Sequence, residues 1–316
     1  MDKPQLNARQ LPDYLILFAK GMAMGAADIV PGVSGGTVAF ITHIYDELLD
    51  SIRQFRPSLV PLLFSQGFAA CWRQVNGNFL LTLVLGIAVS VLLLGRVIAY
   101  HLEHSPVLLG GFFFGLIAAS VVYMLSQQTR WSWQEGVALA LGTACVLLMP
   151  AKPMMFEPNL LWVFAAGALA ICAMILPGVS GSFILLMLGM YPVILNALKD
   201  FNVSMLSVFV GGCVFGLLGF SHLLTWFLRR FHSQTLAVLT GFLLGSLSII
   251  WPWKEVLESG LDRHGKPMAL LTRNVVPWDY QALGLETTFL GPVLLAILGF
   301  ALVFGLERIG SNSLKT

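Results

Sequence analysis

Charge is what this sequence has least of. Of 316 residues, 11% are Asp, Glu, Lys or Arg against 57% hydrophobic, and the mean hydropathy is +0.82. Such a chain cannot cover itself with a soluble surface, so it reads as an all-α polytopic membrane protein. The net charge is only +2 and no basic run occurs, so nucleic acid is not expected as a partner. Cysteine is equally sparse: Cys71, Cys145, Cys172 and Cys213 stand singly, without CxxC or Cys/His spacing, and read as small core residues. No metal and no cofactor are therefore expected. The six histidines (His43, His101, His104, His222, His232, His264) form no group beyond His101 and His104 at an interface. A membrane lipid phosphatase would need a nucleophilic or metal-binding His/Asp cluster, so an enzyme is not expected either. The polar first dozen residues, with Lys3 and Arg9, have no small-residue cleavage site behind a short apolar core, which argues against a removable signal peptide.

What is present is a repeat. Pro31-Gly32-Val33-Ser34-Gly35 returns as Pro177-Gly178-Val179-Ser180-Gly181, an offset of 146 (177 − 31) that also pairs Ile29 with Ile175, Tyr45 with Tyr191 and Leu49 with Leu195. Both copies interrupt apolar sequence, at Tyr14–Val30 and Thr37–Tyr45, then at Leu160–Leu176 and Phe183–Tyr191. A spanning helix needs roughly 20 apolar residues, and most of these arms are shorter. Each pair suits a helix that enters, turns over and leaves on the same side, a re-entrant hairpin at about 14–45 and again at about 160–197. A Pro-kinked spanning helix is the plainer alternative, and the repetition argues against it.

The rest of each half follows one plan. Residues 1–150 form the first repeat, with spans at about Phe79–Tyr100, Pro106–Leu125 and Gln134–Met149. Residues 151–316 form the second, with spans at about Met205–Leu228, Gln234–Ile250 and Thr288–Leu306. Tyr45–Arg53 reads as an amphipathic helix opening an interfacial region that runs to Asn78. The polar insertion 254–286 belongs outside the membrane, and all eight tryptophans fall near segment ends, as an aromatic belt requires. Three crossings per half put the second repeat upside down relative to the first. On that model eleven Lys and Arg lie on the side of the N terminus and seven on the other, four of these in the long insertion, so both termini are expected in the cytoplasm.

Inverted repeats with broken helices meeting near the midplane are the build of secondary transporters. At the first tip Gly32, Gly35 and Gly36 permit close backbone approach while Ser34 and Thr37 add hydroxyls. The second tip offers Gly178, Ser180, Gly181 and Ser182. A turn of this kind that opens a helix favours an anion, although small residues also serve helix packing. A charge in hydrocarbon costs about 2.5–3.5 kcal/mol or more, so ionisable residues in apolar segments deserve a role. Asp28, beside the first break, could exchange a proton, bind a coupling cation or cap the following helix; its repeat partner is Met174. Arg96 and His222 occupy matching positions, since aligning Gly86 with Gly212 gives an offset of 126 and 96 + 126 = 222. Arg can fork onto phosphate oxygens and His can follow by protonation, whereas a snorkelling Arg and a satisfied interior His are the simpler readings. Lys20, on the first arm, either snorkels or reaches the substrate.

Lys20-Gly21, Met24-Gly25, Ala27-Asp28, Pro31-Gly-Val-Ser-Gly-Gly-Thr37 and Ile44-Tyr45, with Leu176-Pro-Gly-Val-Ser-Gly-Ser-Phe183 and Leu188-Gly-Met-Tyr191, resemble the PopT family of bacterial polyprenyl-phosphate translocases. The resemblance covers nearly the whole chain, apart from the insertion. It implies a flippase that returns undecaprenyl phosphate, the carrier lipid of envelope polymers, from the outer to the inner leaflet of the cytoplasmic (inner) membrane, with membrane lipids as its surroundings. A small-anion transporter or channel fits the tips on physics alone. No oligomeric state or coupling ion follows from the residues.

Overall fold

The computed structural model describes residues 9–30, 32–128, 131–149, 159–261, 267–282 and 289–313. In the first half α1 (Leu11–Ile29) and α2 (Gly35–Ile41) flank the first break. The amphipathic α3 (Tyr45–Arg53) and the short α4 (Leu59–Gln66) and α5 (Phe68–Gln74) lead to α6 (Gly77–His104), α7 (Pro106–Gln127) and α8 (Trp133–Leu147). The second half runs α9 (Leu160–Ile175), α10 (Gly181–Met187), α11 (Tyr191–Lys199), α12 (Val203–Arg230) and α13 (His232–Ile250). After the insertion strands β1 (Lys254–Leu261) and β2 (Pro267–Asn274) come α14 (Pro277–Ala282) and α15 (Leu290–Ser313).

The internal repeat is visible in the element bounds. An offset of 146 carries α2 onto α10 and α3 onto α11 at both ends, and the end of α1 onto the end of α9; an offset of 126 carries α6 onto α12. Even the left-handed backbone positions recur: Gly32 (φ 88°) matches Gly178 (φ 83°), and His43 (φ 59°) matches Gly189 (φ 66°). Helices α6, α7, α12 and α13 are long and apolar enough to cross a membrane, and α10 with α11 forms an apolar pair bent by 103°. The chain is a mostly helical, multi-pass membrane protein. The third predicted span of the first half is the 15-residue α8, shorter than its neighbours.

Helices in lipid gain little from hydrophobic burial against each other, so close contact depends on small residues. A Cβ on Gly25 would lie 2.7 Å from the Ile87 carbonyl, and one on Gly216 2.5 Å from that of Ala168. These glycines seat α1 against α6 and α9 against α12. Gly21 faces Leu83 to Gly86 and Gly25 faces Ile87 to Ser90, so α1 runs in the direction of α6 and ends level with about the middle of that 28-residue helix. Helix α9 keeps the same relation to α12. The remaining helices exchange partners: α8 packs on α13 and α15 on α7, so each half lends its last helix to the other.

One end of the bundle is tied by charge. Glu47 of α3 accepts from Arg9 and from Asn76 Nδ2 (2.8 Å) at the start of α6, while Asp50 of α3 pairs with Arg229 in the last turn of α12 (3.2 Å). The start of α6 and the end of α12 therefore share a face. The insertion, which composition places only outside the membrane, contains a β-hairpin. Strands β1 and β2 pair antiparallel, with Lys254 opposite Asn274 and Glu255 opposite Arg273. The Trp251 indole donates to the Val275 carbonyl (2.8 Å), anchoring this hairpin to the end of α13. Val256 and Leu257 are adjacent in β1, where a clean alternation would separate them, so the period-two signal was weak.

Gly241→Ala at the α8–α13 crossing puts a Cβ 2.8 Å from the Thr143 nitrogen. It should lower the melting temperature in detergent, costing about 1–3 kcal/mol. Gly136→Ala on α8, where nothing lies within 4 Å of the new carbon, should instead stabilise by up to about 1 kcal/mol. Shifts of the same sign in both variants would contradict this packing.

Candidate functional site

A helix of seven residues leaves most of its backbone polar groups without intrahelical partners, because each helix end orphans four. Helix α2 is such a helix, and α1 supplies what it lacks. The chain folds back after Ile29, so α2 lies beside α1. Asp28 Oδ1 accepts from the Gly35 N–H (2.7 Å) at the start of α2, and Lys20 Nζ donates to the Thr42 carbonyl (2.8 Å) at its end. A carboxylate at the positive end and an ammonium at the negative end match the helix dipole. Ser34, the N-cap, accepts from the Gly36 N–H at 3.1 Å. Of the three roles open to Asp28, capping is the one this geometry displays. Lys20 is half-buried and bound to backbone.

The first tip also supplies the second. The last turn of α9 ends in carbonyls that its own helix cannot use. Ser34 Oγ lies 3.1 Å from the carbonyls of Met174 and Leu176, and the Tyr45 hydroxyl donates to Ile175 at 3.2 Å. In return the Gly178 N–H donates to Thr37 Oγ1 at 3.0 Å. Ser34 and Thr37 are 0% exposed, so in this conformation their hydroxyls serve the tip-to-tip contact and face no open cavity. The glycines are required by proximity: a Cβ on Gly36 would sit 2.5 Å from the Ile175 carbonyl, and one on Gly35 2.6 Å from Asp28 Oδ2. Gly32 and Gly178 hold the positive φ at which the chain turns over.

The second tip has the same backbone with different chemistry. Ala166 and Met174 stand where the first copy has Lys20 and Asp28, and Phe183 where it has Thr37. Ser180 makes no capping bond, and its hydroxyl pairs with that of Ser182 at 2.9 Å. Within α10 only Gly181 is buried, whereas six of the seven residues of α2 are. Tyr191, the counterpart of the buried Tyr45, is 39% exposed.

Arg96 and His222 are not drawn into this cluster. Arg96 is exposed about one turn of α6 beyond the level at which α1 ends, and has no hydrogen-bond or ion-pair partner among the described residues. His222 is half-buried, with Nδ1 2.7 Å from the Leu218 carbonyl of its own helix. The structure thus unites Lys20, Asp28 and the two tips and leaves the matched pair outside. It adds Tyr45, whose hydroxyl reaches the end of α9. A tyrosine in an apolar stretch needs a partner for its hydroxyl, and that signal was available.

Asp28→Asn keeps an acceptor for the Gly35 N–H but loses its charge and should melt a little below wild type, while Asp28→Ala opens the cap and should cost about 1–2 kcal/mol. Thr37→Val should destabilise by about 1–3 kcal/mol, because the buried Gly178 N–H loses its acceptor. Thermal unfolding in detergent measures all three, and Asp28→Ala melting like wild type would remove the capping role.

Two curated proteins are similar along most of their length. The chain is 47% identical over 303 residues to the polyprenyl-phosphate transporter of Vibrio cholerae serotype O1 (strain ATCC 39315 / El Tor Inaba N16961), covering 94% of this chain and 97% of that one. It is 29% identical over 252 residues to the polyprenyl-phosphate transporter of Staphylococcus aureus (strain NCTC 8325 / PS 47), covering 74% and 84%. No solved structure matches it. A family model described as "VCA0040-like: Undecaprenyl phosphate translocase-like" matches residues 24–268, a stretch that runs from the last turns of α1 through both tips to the insertion, and the chain belongs to that family.

Proposed function

We propose that this protein is a lipid-phosphate flippase that returns undecaprenyl phosphate from the outer to the inner leaflet of the bacterial cytoplasmic membrane, and that it works as a transporter without enzymatic chemistry. The observation that carries this reading is the meeting of two broken-helix tips midway along the spanning helices, in a chain whose relatives bear the name polyprenyl-phosphate transporter. The two halves are read as inverted repeats, each opened by a re-entrant hairpin. Three facts support this: the matched element bounds, the folding back of α2 on α1, and the shared face of the start of α6 and the end of α12. Both termini lie in the cytoplasm on this reading, as the charge bias requires.

A phosphate crossing hydrocarbon must exchange water for protein donors. Arg96, charged and unpartnered among the described residues, is placed to meet it first. Ser180 and Ser182, with Gly178 and Gly181, then present the less committed tip. Ser34 and Thr37, with Gly32, Gly35 and Gly36, join once the tips part, and His222 receives the head group toward the opposite face. Asp28 is the coupling residue of this scheme, because a proton on its carboxylate would weaken the hold on Gly35 N–H and loosen the first tip.

In proteoliposomes the protein should move undecaprenyl phosphate and leave inorganic phosphate outside; the reverse would favour a small-anion transporter. Arg96→Ala should weaken lipid-phosphate binding by about 10- to 150-fold, equivalent to a charge-assisted bond of roughly 1.5–3 kcal/mol, with partial recovery in Arg96→Lys. Normal binding by Arg96→Ala would reduce that residue to an interfacial anchor. Asp28→Asn should flatten the pH dependence of transport, and an unchanged profile would remove Asp28 from coupling.

A further inference from the structure

The two halves share a backbone plan, yet they differ at one set of matched positions. In the first half Val30, Val38, Ile41 and Leu116 are buried in the main core, none more than 7% exposed. Their counterparts in the second half, Leu176, Ile184, Met187 and Phe242, are only half-buried, although three of the four are larger. They border an open cavity of about 340 Å³ between α8, α9, α10 and α13, which Cys145, Met149 and Leu169 also line. Apart from two thiols its wall is hydrocarbon and thioether. Val179 of the second tip lies in that wall, one residue before Ser180. Cys145 and Leu169 are exposed, so the cavity opens sideways from the bundle.

We infer that this lateral groove holds the first isoprene units of a polyprenyl phosphate while the phosphate engages the second tip. The inference rests on the flippase reading above and adds where the tail goes. Three features favour this occupant. The groove wall includes Val179 and Ile184, which flank Ser180 and Ser182 in the chain, so an apolar surface adjoins the segment that carries two hydroxyls, as suits an amphiphile whose polar group sits at one end of an apolar chain. At the matched positions of the first half the side chains are buried in the core, so the open groove coincides with the tip that lacks the Asp28 and Lys20 clamp. Its wall includes Met149 and Met187, whose flexible, polarisable side chains adapt to an irregular methyl-branched chain better than branched aliphatics do.

The test uses full-length protein in proteoliposomes and an undecaprenyl phosphate carrying a diazirine in its first isoprene units. Adducts should concentrate on Cys145, Met149 and Met187, and a diazirine-bearing phosphatidic acid should label them far less. Equal labelling by the two lipids would mark an ordinary lipid-facing surface and overturn the groove. Cys145→Trp and Leu169→Trp fill the groove from exposed positions. They should weaken undecaprenyl phosphate transport by about tenfold and transport of dimethylallyl phosphate, whose single unit leaves most of the groove empty, much less, since only a chain that fills the groove loses substantial buried apolar contact. Equal losses for both lipids, or none, would also overturn it. Wild-type protein that neither binds nor moves undecaprenyl phosphate would sink the functional reading and the groove together. Normal wild-type transport with adducts elsewhere would sink the groove alone.

Discussion

A broken helix in hydrocarbon must find partners for the backbone groups at its break, because no water is there to take them. Everything particular to this structure can be read as an answer to that demand. Helix α2 is too short to satisfy itself, so α1 brings a carboxylate to its N-terminal end and an ammonium to its C-terminal end. The exposed carbonyls that finish α9 are met by Ser34 and Tyr45 from the first hairpin. The Gly178 N–H at the second turn is met by Thr37. Removing the tips from contact would leave those same groups orphaned midway along the spanning helices.

The demand also explains the glycines. Hydrogen bonds between one tip and the carbonyl end of a helix require backbone to approach backbone, and a Cβ at Gly36 would stand in that gap. The same steric economy seats α1 on α6 and α9 on α12, which fixes the level along those long helices at which each broken helix turns over. Contact is thus set by small residues, while the polar residues satisfy the backbone groups left at each break.

Much of this was legible in the sequence. The repeat, the two breaks, the amphipathic Tyr45–Arg53 and the long spans follow from spacing and composition, and the element bounds reproduce the 146-residue offset. The roles of individual residues were less legible. Lys20 and Asp28 are eight positions apart, and nothing in that interval says that a folded-back helix will lie between them. Ser34 and Thr37 look like free hydroxyls until the carbonyls that finish α9 are known to face Ser34 and the Gly178 N–H is known to face Thr37. The pairing of Arg96 with His222 through the offset of 126 was a correct register, since α6 and α12 share it, but register does not bring two side chains together. Exchange of α8 and α15 between halves is likewise invisible locally, because any apolar helix with glycines can accept either partner.

Sequence divergence between the copies then sets the energetics of parting them. The tip contact consists of bonds from Ser34, Thr37 and Tyr45, all contributed as side chains by the first hairpin. At about 0.5–1.5 kcal/mol each net, and more where the bared group stays dry, opening the contact costs a few kcal/mol. A phosphate accepting charge-assisted or hydroxyl bonds can offset a cost of that size, at roughly 1.5–3 kcal/mol per charged bond. A contact several times stronger would hold the tips shut against such a ligand, and one without the hydroxyls would leave the carbonyls of α9 unpaired in its absence. The first hairpin remains clamped by Lys20 and Asp28 whether or not the tips touch, whereas the second has Ala166 and Met174 at those places and little burial along α10. The lower resistance to movement therefore lies in the second hairpin, on the side where the apolar groove opens.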